Sequence, residues 1–129
     1  MRRALVIALF LALAACRGGN VDTTLSRTVV SGNAHAGPVC PVESVPPDPN
    51  CADRPVPDAV IEIRDAAGNT AATARTDADG NFTINLAAGT YTFVPQPVEG
   101  LLGTAGEAVV VVGSTPVTGL YFAYDTGIR

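Results

Sequence analysis

Ala59-Val-Ile-Glu-Ile-Arg64, Asp65-Ala-Ala-Gly-Asn69, Thr70-Ala-Ala-Thr-Ala-Arg-Thr76, Asp77-Ala-Asp-Gly80 and Asn81-Phe-Thr-Ile-Asn-Leu86 follow one another without a gap. In the first stretch Ala59, Ile61 and Ile63 alternate with Val60, Glu62 and Arg64. In the last, Phe82, Ile84 and Leu86 alternate with Thr83 and Asn85. A period of two places successive side chains on opposite faces, as in a half-buried strand. The residues between them are turn formers, with Gly68, Asn69 and Gly80 able to take positive φ. Asp-Gly steps between alternating runs read as hairpins.

Working outward, the same reading applies to most of the chain. Leu25 to Ser31 is a β-branched first strand, with Gly32 to Pro38 as an irregular exit. Ala87-Ala-Gly89 turns into Thr90–Val94, which sets Tyr91 and Phe93 on one face. Residues 95–106 hold Pro95, Pro97, Gly100, Gly103 and Gly106 and form a longer loop. Ala108–Val112 is a valine-rich run too short for a helix, and Val117–Tyr124 is the last strand. No window sustains a 3.6-residue period. Seven short, closely spaced strands make an all-β chain and point to a β-sandwich, with a barrel as the competing architecture.

The N-terminus carries a different signal. Met1-Arg2-Arg3 precedes an apolar run, Ala4–Ala15, that ends Leu13-Ala-Ala-Cys16. Twelve apolar residues suit a secretory signal and fall short of the ~20 a spanning helix needs. Leucine, two small residues and cysteine resemble the lipobox of bacterial lipoproteins. That resemblance implies a signal peptide over 1–15, cleavage before Cys16, lipid on the Cys16 thiol and acylation of the new amino group. Residues 16–25 then form a tether and 26–129 the domain. Eight extended tether residues reach ~25–30 Å, so the domain stays close to the bilayer. Location is a cell envelope, at an outer membrane or the outer face of the cytoplasmic membrane.

Removing 15 of 129 residues leaves 114, enough for one domain. The chain has no lysine. Of eight arginines, Arg2 and Arg3 precede the cleavage point, so six face twelve acids in the remainder. Scattered single arginines do not form the positive patch that displaces counterions from nucleic acid, and nucleic acid is set aside as a partner. The same scarcity leaves lipid as the means of membrane attachment.

With Cys16 lipidated, Cys40 and Cys51 remain, an even pair in an exported chain, and a disulfide is expected. A metal site lacks ligands, because two cysteines and the single His35 do not complete a tetrahedral set. The intervening Pro41-Val-Glu-Ser-Val-Pro-Pro-Asp-Pro-Asn50 holds four prolines and can be neither helix nor central strand.

Arg54-Pro-Val-Pro-Asp-Ala-Val-Ile-Glu-Ile-Arg-Asp-Ala-Ala-Gly68, then Thr76-Asp-Ala-Asp-Gly-Asn-Phe82, then Leu86-Ala-Ala-Gly-Thr-Tyr91, resembles the carboxypeptidase regulatory-like domain. The resemblance covers about residues 27–129. It implies a seven-stranded transthyretin-like (Ig-like) β-sandwich and a non-catalytic module that supports folding, holds neighbours or binds ligands. A related group of carbohydrate-binding-like folds includes starch-binding modules, so a glycan is the alternative partner to an envelope protein.

No enzyme chemistry is assembled by these residues, and no cofactor is called for. Asp77, Asp79 and Asn81 are spaced like the first ligands of a calcium loop, but an EF-hand wants glycine where Phe82 stands and glutamate where Ala88 stands. They read instead as a hairpin turn with solvated acids. His35 alone supplies neither a triad nor a facial iron site and reads as a surface loop residue. Hydroxyisourate hydrolases share the transthyretin fold but carry several histidines and a Tyr-Arg-Gly-Ser terminus, whereas this chain ends Thr126-Gly-Ile-Arg129.

The contact candidates are aromatic and aliphatic. Tyr121 and Tyr124 have opposite parity, so one of them faces out and offers a ring for stacking on a sugar. Leu101 and Leu102, between glycines in the 98–106 loop, either cap the sandwich or form an exposed patch suited to a protein or the membrane surface. Val60 and Val94 on outer faces would extend it.

Overall fold

A computed structural model describes residues 26–129 as two packed four-stranded sheets. The expected signal peptide, lipidation at Cys16 and tether fall outside the described residues. The strands are β1 (Arg27–Gly37), β2 (Arg54–Pro55), β3 (Val60–Arg64), β4 (Thr70–Arg75), β5 (Asn81–Ala87), β6 (Gly89–Pro95), β7 (Ala108–Val112) and β8 (Val117–Asp125). In the first sheet β1 is central. It pairs antiparallel with β5 over its first half and with β2 near its end, and parallel with β8 on its other side. The second sheet has the order β4-β3-β6-β7, antiparallel throughout. The sandwich is as expected from the strand pattern, and the two-residue β2 is the added strand.

Alternation fills the space between the sheets. Ile61 and Ile63 of β3, Tyr91 and Phe93 of β6, and Val110 and Val112 of β7 are buried from one side. Val30, Ala34, Phe82, Leu86, Phe122 and Tyr124 are buried from the other. Phe82 and Phe122 meet Phe93 across the core, with centroids 6.4 and 6.5 Å away, and each other at 5.9 Å. Such pairs contribute about 0.5–1.5 kcal/mol each beyond their burial. Tyr91 donates its hydroxyl to the Ala87 carbonyl at 2.7 Å, pinning the step from β5 into β6.

Three expectations need correction. Residues 32–37 are not an irregular exit but the second half of β1. Their inward positions are Ala34 and Ala36, 0% and 4% exposed, which lets the sheets approach closely. At Gly32 a Cβ would strike the Leu120 carbonyl and side chain of β8. A strand written in glycine and alanine carries little β propensity, yet close packing selects it. His35 is therefore a strand residue on the outer face of β1, not part of a loop.

The third correction concerns Asp77–Asn81. It shares its local design with Asp65–Asn69. In both, the aspartate Oδ1 accepts from the backbone N–H groups two and four residues on, at 2.9–3.0 Å. In both, glycine three residues on takes positive φ, 85° at Gly68 and 77° at Gly80. Asp65–Asn69 closes the β3–β4 hairpin. Asp77–Asn81 instead carries the chain from β4 in one sheet to β5 in the other. Before it, buried Thr76 accepts from Ala59 N–H at 2.8 Å and donates to the Val56 carbonyl at 2.6 Å, fixing the approach to β3.

Candidate functional site

The connections divide between two ends. Ser26, the Asp65–Asn69 turn, Ala88 and residues 113–116 lie where β1 begins; Thr28 donates to the Gly113 carbonyl there. Residues 38–53, 56–59, 96–107 and 126–129 gather where β1 ends. All the long loops are at this second end.

Cys40 and Cys51 are disulfide-bonded there, Cα–Cα 5.2 Å. Within the closed loop, the 3₁₀ turn Pro49–Cys51 is capped by Asp48, which accepts from Asn50 N–H at 2.9 Å. Ser44 Oγ accepts from Asp48 N–H at 3.1 Å. Val42 and Val45 project into solvent, 74% and 98% exposed.

The 96–107 loop is stitched to the end of β8. Leu102 and Gly103 N–H groups donate to the Asp125 carbonyl at 2.9 and 3.1 Å, and Asp125 N–H returns a bond to Gly103. The Asp125 carboxylate accepts from Arg129 Nη2 at 3.0 Å and from Gly127 N–H at 2.8 Å. The Arg129 bond, then the Gly127 bond, hold its pKa below the ordinary aspartate value. This folds the C-terminal residues back against the loop. Between them is a cavity of about 420 Å³, walled by Val39, Val56, Val98, Leu101 and Ile128, with Arg54 and Glu99 as its charged lining.

The expected contact residues separate here. Leu101 is half-buried against the core and lines the cavity, so it is not exposed surface. Leu102 is 76% exposed. Val60 and Val94 are half-buried on outer faces.

Tyr124 is core, and its hydroxyl donates to the Gln96 carbonyl at 3.2 Å; burial pushes its pKa up. Tyr121 is 54% exposed on the outer face of the first sheet. The split follows from their parity, because both lie beyond the irregularity at Gly119, φ 76°, that shifts the register of β8 against β1.

Tyr121 brings together residues that the sequence reading left apart. Its hydroxyl donates to Asp53 Oδ2 at 3.3 Å, and its ring lies 5.6 Å from that of His35, tilted by 38°. Partial burial and then the Asp53 charge raise its pKa. Asn33, in register with Tyr121, has a buried side-chain oxygen with no hydrogen-bond partner. The signal for this group is present in Asn33-Ala-His-Ala36, where polar residues alternate with alanine.

Asp77 spends its carboxylate on its own turn. Among the described residues, no three His, Cys, Asp or Glu side chains are grouped to hold a metal ion. No helix there is long and apolar enough to cross a membrane.

Solved structures share this fold at low identity. The shaft pilin SpaA of Lactobacillus rhamnosus GG superposes with a TM-score of 0.61 at 12% identity, over 78% of this chain and 51% of that one. GBS52, the minor pilin of Streptococcus agalactiae, gives 0.57 at 17% identity, over 78% and 45%. The Bacillus anthracis TIE protein gives 0.54 at 15% identity, over 76% and 17%. The chain thus spans about half or less of each. No curated protein matches its sequence. The family model described as the carboxypeptidase regulatory-like domain matches residues 48–119, more than half of the chain, and the chain belongs to that family.

Proposed function

We propose that this protein is a non-enzymatic envelope module, lipid-anchored through Cys16, that holds a partner protein at its loop-bearing end. The observation that carries the reading is the polarity of the sandwich. The chain enters β1 at Arg27, and eleven residues later it reaches the end that bears the exposed side chains of Val42, Val45 and Leu102 and an apolar cavity. At ~3.3 Å per residue the two ends are roughly 35 Å apart. An anchor at Cys16 holds the first end near the bilayer and turns the apolar end outward, so Leu102 faces a partner rather than the membrane. Exposed aliphatic side chains and an apolar cavity at one end suit contact with a partner's side chains.

Two measurements test this. With no lysine in the chain, a Cys16 α-amino group that is acylated leaves no primary amine. The mature protein is then silent to amine-reactive reagents, whereas one label per chain means a free amino terminus. For contact, the soluble Cys16→Ser protein is added to isolated envelopes. Saturable, protease-sensitive binding that is lost in Leu102→Asp supports the proposal. Binding indifferent to that substitution contradicts it.

A further inference from the structure

We infer that the cavity at the loop-bearing end is a binding site for a small aliphatic carboxylate, its chain against the apolar walls and its headgroup on Arg54. The inference goes beyond the partner contact proposed above and depends on neither that contact nor the anchor. At about 420 Å³ the cavity falls within the range of small-molecule sites, which combine apolar walls with a few placed polar groups. Its floor reaches the core at Ala36 and Val56, both buried. Backbone bonds fix its walls: Val56 N–H donates to the Ala34 carbonyl at 2.9 Å, Leu101 N–H to Val98 at 3.1 Å and Thr126 N–H to Gly37 at 3.2 Å. A chain entering such a cavity orders little of the protein, which favours binding.

The lining has little for a neutral polar headgroup. Pro55 and Pro57 carry no N–H, and the Thr126 hydroxyl is occupied, donating to the Pro38 carbonyl and accepting from Ile128 N–H. Arg54 is different. Among the described arginines, Arg64, Arg75 and Arg129 each face a carboxylate of their own chain, and Arg27 donates to the Asn85 carbonyl. Arg54 alone has no acceptor there, although its strand pairing with Ala36 holds it beside the cavity. An unpaired guanidinium next to apolar walls suits a carboxylate, which takes two parallel N–H bonds from its fork. Glu99 also lines the cavity without pairing to Arg54, but it sits in the exposed 98–101 turn, where water screens its charge. The strand-borne cation therefore sets the sign of the ligand.

The test is a titration of the soluble Cys16→Ser protein with sodium octanoate, followed by amide NMR, with 1-octanol and octylamine as the neutral and cationic comparisons. Octanoate should shift the amides of Val56, Leu101 and Ile128 together and to saturation, with a single Kd. Octanol should bind about tenfold more weakly, and octylamine more weakly still. Arg54→Gln should weaken octanoate about tenfold, the effect of losing a charge-assisted pair, while the other amides keep their positions and report an intact fold. Glu99→Gln removes a like charge at the mouth and should tighten octanoate two- to threefold. The inference is overturned by any of four results. These are no saturable shift, shifts centred away from the cavity, octanol or octylamine binding as tightly as octanoate, and octanoate binding unchanged in Arg54→Gln.

Discussion

Gly68 and Gly80 occupy the same place in two turns of the same design, yet they face different surroundings. A Cβ on Gly68 meets open space, whereas on Gly80 it meets the Ala34 carbonyl and Pro55. Gly68→Ala should cost only the left-handed backbone, about 1 kcal/mol. Gly80→Ala adds the clash with β1 and should cost roughly 2–4 kcal/mol. Urea midpoints of the two variants, compared with wild type, measure the difference. Asp125 gives a second prediction at this scale. Its folded pKa is depressed by Arg129, so its contribution is present above the unfolded aspartate pKa of about 4 and fades as pH falls through the folded value. Protection factors for amide hydrogen exchange at residues 126–129, which remove the intrinsic pH dependence of exchange, should fall on acidification below that range. In Asp125→Asn they should be low at neutral pH already.

Elements were legible where large apolar residues mark the period and hidden where small ones do. β3, β5, β6 and β7 follow from their isoleucines, phenylalanines and valines. The far half of β1 is written in Ala34 and Ala36, whose burial depends on how closely the sheets pack, a property no single strand carries. That is why the sequence placed His35 in a loop and missed its contact with Tyr121. The Asp77–Asn81 turn was legible as a turn but not as a crossing, because its hydrogen bonds are local while sheet membership is decided by core packing. Of the contact candidates, parity alone separated Tyr121 from Tyr124. Nothing local separated Leu101 from Leu102 in a glycine-flanked loop. The disulfide loop makes the prediction at this scale. Residues 41–50 are exposed throughout and add nothing to the core, so the bond acts by restricting the unfolded chain. Replacing Cys40 and Cys51 with alanine should lower stability by about 3 kcal/mol while leaving the far-ultraviolet circular dichroism of the sheets unchanged.

At the scale of the whole molecule, the proposed function uses the sandwich to separate attachment from contact. β1 spans the domain and joins the two ends: its first residue, Arg27, stands at one, and the disulfide loop follows its last at the other. At the far end Asp125 ties the 96–107 loop to β8, Thr126 ties the C-terminal residues to Gly37 and Pro38, and the disulfide closes its own loop, so the cavity keeps its arrangement without a ligand. A pre-arranged surface loses less conformational freedom on binding, which favours a role in holding a partner. The most direct measurement places a photo-crosslinking side chain at position 102 or at position 114 of the full-length protein in intact envelopes. The account predicts a discrete protein adduct from position 102 and lipid adducts alone from position 114. Lipid adducts at 102 with a protein adduct at 114 would place the working surface at the wrong end and contradict it.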